Sequence, residues 1–181
     1  TVSENVQDSI RFNFINKIFI ISSIIFFHLI PFVLMFKKKK IILNIKSQIK
    51  FIIPLILFFL LTINIFNFKP EFGGGGFFYY LSNYLTNDVY LFLGICCISL
   101  IFLLLIANKK VNNLILIIIL IIMNPQLSIY HKYYDPLVIL IFLLFFSNEI
   151  LKKKFIENKA IIILFLYTLF FNLSYVLKNY I

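Results

Sequence analysis

Long apolar stretches alternate with short polar segments along almost the whole chain. Six of these stretches come near the roughly 20 residues that a helix needs to cross a hydrocarbon core about 30 Å thick. The pattern predicts six spanning helices, at about residues 18–36, 51–68, 89–107, 111–129, 137–151 and 159–177. The fourth stretch contains Asn112, Asn113 and Asn124 and the fifth is short, so this pair could instead be tilted or re-entrant. The expected range is therefore four to six spans.

Composition agrees with this fold class. The 181 residues are 62% hydrophobic and 13% charged, with a mean hydropathy of +1.01, which lies outside the range of soluble domains. We expect an all-α, polytopic integral membrane protein with short interfacial helices, in which residues 1–181 form a single transmembrane domain. The chain begins with Thr1 and shows no signal-peptide pattern, so we expect it to be a piece of a longer protein.

The lysines are distributed unevenly between the segments that join the spans. With alternating spans, twelve basic residues fall on one side: Lys37–Lys40, Lys46, Lys50, Lys109, Lys110, Lys152–Lys154 and Lys159. Five fall on the other: Arg11, Lys17, Lys69, Lys132 and Lys178. The positive-inside rule makes the first side cytoplasmic, so we expect a protein of the bacterial inner membrane with residues 69–88 and 124–136 on the non-cytoplasmic face. The net charge of +10 reflects topology and attraction to anionic lipid, and no nucleic-acid partner is expected.

Aromatic residues mark the same non-cytoplasmic end, where all tyrosines except Tyr167 fall in this topology. Tyrosine prefers the interface because its ring is apolar and its hydroxyl is polar. An aromatic belt is the simplest interpretation, and a site whose rings stack on a sugar or an isoprenoid is the alternative. Residues 1–17 place apolar side chains four apart at this end, which predicts an outer amphipathic helix leading into the first span: Val2, Val6, Ile10 and Phe14.

The outer loop of residues 69–88 contains four consecutive glycines: Gly73, Gly74, Gly75 and Gly76. Glycine allows positive φ angles, so N–H groups in such a run can point together and hold a phosphate. The run lacks the Lys-Ser/Thr ending of a P-loop, and a flexible hinge is the alternative. Helical spacing then predicts a short helix on the membrane surface, carried by Phe77, Tyr80, Leu81, Tyr84 and Leu85. Four polar residues are expected to face water or cap the third span: Ser82, Asn83, Asn87 and Asp88.

The outer loop of residues 124–136 concentrates the polar chemistry of the chain. Two basic groups, His131 and Lys132, lie beside three tyrosines, Tyr130, Tyr133 and Tyr134. Lysine supplies a point charge and histidine can donate to a phosphate or move a proton, so these residues match what a lipid-linked phosphate needs. An interfacial histidine beside a snorkelling lysine is the alternative. Asp135 precedes Pro136 and is expected to be the N-cap of the fifth span or an acidic catalytic group.

These features resemble the C-terminal membrane part of bacterial GT-C glycosyltransferases, a superfamily that includes family-39-like enzymes and relatives of the dolichol-pathway glucosyltransferases. The resemblance rests on short spans, Phe77-Phe-Tyr-Tyr80 after the glycines, and Asn124-Pro-Gln126 leading to Tyr130-His-Lys-Tyr-Tyr-Asp-Pro136. It implies a polyprenyl-phosphate sugar donor, with the phosphate on His131 and Lys132 and the lipid or sugar on the three tyrosines. The paired acidic motif of such enzymes is not found after a first span here, which leaves the catalytic base open.

The leading hypothesis is a membrane glycosyltransferase that moves a sugar from this donor to a glycan, lipid or protein acceptor. Glu71 and Asp135 are the candidate bases for deprotonating the acceptor hydroxyl. No metal-ligand set is visible, so a divalent cation is only an open expectation. The alternatives are an envelope-polysaccharide polymerase or flippase-like protein, and a non-enzymatic membrane subunit or transporter with His28 as a polar group inside a span.

Overall fold

The computed structural model describes residues 14–33, 38–68, 74–123, 129, 134–147 and 157–180. These residues form seven helices and contain no strand, so the predicted all-α class is confirmed. The helices are α1 (Phe14–Val33), α2 (Lys38–Thr62, extended by a 3₁₀ turn at Ile63–Ile65), α3 (Gly76–Thr86), α4 (Tyr90–Ala107), α5 (Val111–Ile122), α6 (Asp135–Leu144) and α7 (Asn158–Tyr180). Residues 1–13 of the predicted amphipathic segment lie outside the described residues.

Three described helices are long and apolar enough to cross a membrane: Phe14–Phe32, Asn44–Ile65 and Tyr90–Ala107. They correspond to the first three predicted spans. Val111–Ile122 and Ile161–Leu173 are apolar but shorter. At 1.5 Å per residue, the 12 residues of α5 and the 10 of α6 extend only about 18 Å and 15 Å. The prediction of a full-length fourth span over 111–129 is therefore wrong at its C-terminal end, because the helix stops at Ile122.

Helix α1 occupies the centre of the bundle. It contacts α3, α4, α5, α6 and α7, and five of its apolar side chains are completely buried: Phe19, Ile20, Ile21, Ile24 and Ile25. A helix that is apolar on all sides can be covered by neighbours on all sides. The first span is thus the helix around which the others pack.

Apolar side chains cover the outside of this bundle, and several polar ones lie inside it. The exposed faces of α2, α5 and α7 carry large apolar residues, among them Leu57, Leu61, Ile118 and Phe170. Polar or charged side chains that are buried include Ser22, Ser23, His28, Gln48, Ser99 and Asn113. This distribution would be unfavourable in water, because exposing apolar surface to water costs free energy. The three long helices therefore fit membrane association.

Side-chain amides hold three helices together at the C-terminal end of α4. The last carbonyls of a helix have no partner within it. Here the Leu105 carbonyl accepts from Asn44 Nδ2 at 3.0 Å and from Gln48 Nε2 at 3.4 Å, which attaches α2. The Ala107 carbonyl accepts from Asn113 Nδ2 at 3.1 Å, which attaches α5.

The same Asn113 joins the start of α5 to Ser147, three residues after the end of α6. Its Oδ1 accepts from the backbone N–H of Ser147 at 2.9 Å and from the Ser147 hydroxyl at 3.0 Å. Helix α5 therefore starts at the end of the bundle to which the chain returns after α6. The pair of tilted or re-entrant segments stays a prediction, because most of the residues that join the two helices lie outside the described ones.

Candidate functional site

The structure describes part of the site expected from the sequence. Gly74, Gly75, Gly76, Tyr134 and the backbone of Asp135 belong to the described residues. Six other expected site residues lie outside them: Glu71, Gly73, Tyr130, His131, Lys132 and Tyr133. The described geometry is therefore that of the residues on either side of this group.

The glycine run and the 124–136 loop touch each other through their backbones. The Gly75 N–H donates to the Ile129 carbonyl at 2.9 Å. A Cβ atom on Gly74 would come within 2.7 Å of the Ile129 nitrogen and 2.8 Å of its oxygen, and Gly74 has a φ of +94°. Only glycine satisfies both demands, because any other residue adds a Cβ and strains this backbone conformation. The two loops singled out in the sequence are thus neighbours in space.

Gly75 packs closely against two aromatic rings. Gly75 has a φ of +96°, and its added Cβ would lie 2.9 Å from ring atoms of Phe68 and Tyr79. Tyr79 is 4% exposed and its hydroxyl donates to the Phe68 carbonyl at 3.3 Å. At Gly74 and Gly75 the described glycines therefore serve close packing, and the Gly75 N–H is already used by Ile129.

Helix α6 begins six residues after Ile129. Tyr134 is its N-cap, so Asp135 is the first helical residue, one position further in than the expected N-cap. The Tyr134 side chain is 3% exposed and belongs to the main apolar core, as does Ile129. Tyr134 is therefore a core residue at the edge of the site, in contrast to a ring on an open interfacial surface. The first turn of a helix favours a negative charge, which suits an aspartate at position 135.

Helix α3 confirms the short helix predicted after the glycines, and it packs into the bundle. Its Phe78 ring lies 6.3 Å from that of Phe26 and 5.8 Å from that of Phe27, in the last third of α1. Its Tyr79 ring lies 5.3 Å from that of Phe92, at the start of α4. Helix α3 thus runs alongside α1 and does not simply lie across the end of the bundle.

The opposite side of α3 carries the exposed tyrosines. Tyr80 is 41% exposed and Tyr84 is 86% exposed, and Tyr90 at the start of α4 is 78% exposed. Five residues carried the helical spacing that predicted this helix. Tyr80, Tyr84 and Leu85 are exposed, whereas Phe77 and Leu81 are partly buried. Exposed tyrosine rings of this kind suit the membrane interface.

Ser82, inside α3, and Asp88, between α3 and α4, cap the start of α4, which is one of the two roles expected from the sequence. Ser82 is buried, its hydroxyl donates to the Asp88 carbonyl at 2.8 Å, and its oxygen accepts from the Phe92 N–H at 3.1 Å. Asp88 Oδ1 accepts from the Tyr90 N–H at 3.1 Å and from the Thr86 hydroxyl at 3.0 Å. These bonds satisfy N–H groups that the first turn of α4 cannot satisfy itself.

Two features near the start of α1 were not singled out by the sequence reasoning. Asn16 and Asn67 exchange hydrogen bonds, from Asn16 Nδ2 to Asn67 Oδ1 at 3.0 Å and from the Asn67 N–H to Asn16 Oδ1 at 3.2 Å. Lys17, counted only as a topology charge, is 3% exposed. Two adjacent polar residues within an apolar stretch, Asn16 and Lys17, are the sequence signal that could have indicated both features. Among the described residues, no group of three or more His, Cys, Asp or Glu could hold a metal ion.

Comparison with protein-family models, with curated proteins and with solved structures gives no significant match.

Proposed function

We propose that the chain is the membrane domain of a GT-C-like glycosyltransferase that binds a polyprenyl-phosphate-linked sugar. In this proposal α1, α2, α4 and α7 cross the bacterial inner membrane, and α5 and α6 form a re-entrant pair that enters from the cytoplasmic, lysine-rich end. Four crossings plus this pair lie within the range of four to six expected from the sequence. The lengths of α5 and α6 support the pair, because about 18 Å and 15 Å of helix do not cross a hydrocarbon core of roughly 30 Å. The Asn113–Ser147 bonds bring the start of α5 and the chain after α6 to the same end of the bundle.

The observation that carries the proposal is the backbone contact between Gly74–Gly75 and Ile129. It brings the start of α3 into contact with Ile129, which precedes His131 and Lys132 by two and three residues in the sequence. In this proposal His131 and Lys132 offer hydrogen bonds and charge to a phosphate, and the exposed Tyr80 and Tyr84 offer ring faces to a sugar or an isoprenoid.

The proposed reaction is displacement at the anomeric carbon of the donor. The acceptor hydroxyl oxygen forms the new bond to that carbon, and the bond from the carbon to the phosphate oxygen breaks. A carboxylate, Asp135 or Glu71, takes the proton of the hydroxyl, and His131 and Lys132 stabilise the negative charge on the departing lipid phosphate.

Lipid binding tests the first half of the proposal. The full chain in detergent is titrated with undecaprenyl phosphate, with undecaprenol as the phosphate-free comparison, and binding is followed by native mass spectrometry. Alanine at both His131 and Lys132 is expected to weaken binding of the phosphate by about 25-fold, from about 1 kcal/mol for the lysine charge and about 1 kcal/mol for a hydrogen bond from the imidazole. Alanine at Lys109 and Lys159, which are exposed lysines elsewhere, is the control. Equal binding by the His131/Lys132 variant would contradict the assignment.

Transfer chemistry is tested separately. Asp135→Asn and Glu71→Gln remove a base while keeping nearly the same shape. Loss of sugar transfer in one variant, with undecaprenyl phosphate still bound, would identify the base. Retention of full transfer by both variants would exclude Asp135 and Glu71 as the base.

A carrier for a lipid-linked or small anionic solute is a second candidate, because α3 is a short helix that begins at a buried backbone contact between Gly75 and Ile129. Transporters often bind their substrate where interrupted helices begin inside the membrane. Reconstituted vesicles distinguish the two functions: a carrier moves a labelled lipid phosphate across the bilayer without an acceptor, whereas a transferase needs the acceptor and releases undecaprenyl phosphate.

Sidedness is tested with single cysteines at exposed positions. Tyr84→Cys and Lys109→Cys are placed in a background without Cys96 and Cys97 and labelled in intact cells and in inverted vesicles. The proposal expects the Tyr84→Cys variant to react with an impermeant reagent only from outside, and the Lys109→Cys variant only from the cytoplasmic side. Labelling of both variants from the same side would refute the proposed topology.

A further inference from the structure

One stripe along α2 carries two lysines followed by aliphatic side chains. Lys46 and Lys50 lie one helical turn apart and are exposed. Ile53, Leu57 and Leu61 continue the same line at steps of three and four residues, and they are 53%, 55% and 77% exposed. These five residues are called the α2 stripe.

The α2 stripe lies at the middle of the face that α2 turns away from the bundle. The opposite face is buried through Gln48, Ile52 and Phe59. Its polar member, Gln48, bonds to the carbonyl of Leu105 in the last turn of α4. The orientation of α2 is thereby fixed, and the stripe faces whatever surrounds the protein.

The positive charge of this stripe is available to a ligand. Among the residues that the structure describes, no acidic side chain pairs with Lys46 or Lys50. The two amines lie at the end of the bundle where α2 meets the C-terminus of α4. Their long apolar stems allow both amines to reach one headgroup.

The length of the aliphatic part matches one leaflet of a bilayer. Eleven residue steps separate Lys50 from Leu61, which is about 16 Å at 1.5 Å per residue. Half of a hydrocarbon core of roughly 30 Å is about 15 Å. An acyl chain beside the stripe can therefore run from the lysines to Leu61 without leaving its leaflet.

We propose that the α2 stripe binds an anionic phospholipid, with the phosphate on Lys46 and Lys50 and an acyl chain along Ile53, Leu57 and Leu61. Two cations at one end and an apolar row of leaflet length at the other complement such a lipid in both charge and shape. The glycine contact with Ile129 involves none of these residues, so this site is independent of the proposed donor site.

The test titrates the full chain in detergent with palmitoyl-oleoyl phosphatidylglycerol and with phosphatidylcholine of the same chains, and binding is measured by native mass spectrometry. Phosphatidylglycerol is expected to bind more tightly. The variant Lys46→Gln/Lys50→Gln is expected to bind it about 25-fold more weakly, from about 1 kcal/mol per lysine. The control Lys109→Gln/Lys159→Gln removes the same charge from other exposed lysines and should bind normally.

Two further variants separate a site from general attraction. Lys46→Arg/Lys50→Arg keeps both charges and should retain binding. Leu57→Ser should weaken binding several-fold, whereas Leu166→Ser, at a 57% exposed position on α7, should not. Equal loss in the Lys109/Lys159 control, equal binding of phosphatidylcholine, or no difference between the two serine variants would overturn the proposal. Loss of phosphatidylglycerol with undecaprenyl phosphate binding intact would show that the two sites are separate.

Discussion

Gly74 offers the sharpest test of the contact between the two loops. Gly74→Ala places a methyl group 2.7 Å from the Ile129 nitrogen and 2.8 Å from its oxygen, against backbone atoms that cannot rotate away. The φ of +94° adds about 1–2 kcal/mol for a residue with a Cβ. Moving Ile129 away also loses the Gly75 hydrogen bond, worth about 1 kcal/mol. We expect the free energy of unfolding to fall by about 2–3 kcal/mol.

Another glycine supplies a matched control. Gly94 lies in α4, and a Cβ added to it meets no atom within 4 Å. Gly94→Ala should raise the free energy of unfolding by about 0.5–1 kcal/mol, because alanine loses less backbone entropy in a helix. Both variants are unfolded reversibly in mixed micelles with increasing SDS and followed by circular dichroism. Stability of Gly74→Ala equal to the natural protein, or a change as small as that of Gly94→Ala, would refute the close approach.

Gly75→Ala separates backbone strain from the clash at Ile129. Its φ of +96° brings the same strain, but its Cβ would meet ring atoms of Phe68 and Tyr79. Side-chain rings can shift more than a backbone can, so we expect a smaller loss of stability than for Gly74→Ala. A larger loss would mean that ring packing, and not the backbone contact, dominates at this point.

Three other changes can be measured in the same unfolding assay. Ser82→Ala removes the two hydrogen bonds of the Ser82 hydroxyl at the α4 cap and should lower the free energy of unfolding by about 1–2 kcal/mol. Ser47→Ala, at an exposed site, should change it by less than about 0.5 kcal/mol. Asn113→Ala removes the acceptor of the Ser147 N–H and hydroxyl and one of the two donors to the Ala107 carbonyl, and should lower it by about 2–4 kcal/mol. The exposed Asn112→Ala should be near neutral, and equal effects would contradict the role of Asn113. Tyr79→Phe removes one hydrogen bond of 3.3 Å and keeps the ring, so we expect about 0.5–1 kcal/mol, and a loss above about 2 kcal/mol would be inconsistent with this.

The candidate site could be anticipated only in part from the sequence. The φ freedom of a glycine run is a local property, so the positive φ of Gly74 and Gly75 follows from residue type. The contact of these glycines with Ile129 does not follow from residue type, because Ile129 is distant along the chain. Nothing about an apolar residue indicates what its backbone contacts. For the same reason the sequence left a hinge and a phosphate nest as alternatives, and neither anticipated the packing role.

The sequence by itself determined the helical class and the positions of α1, α2 and α4. These depend on the length of apolar runs, which is a local property. Only the tertiary structure decided that α1 is central, because every span is apolar and helices of similar composition can exchange places without changing the pattern. It also decided that α5 and α6 share an end, because the bonds of Asn113 join segments that lie far apart in sequence.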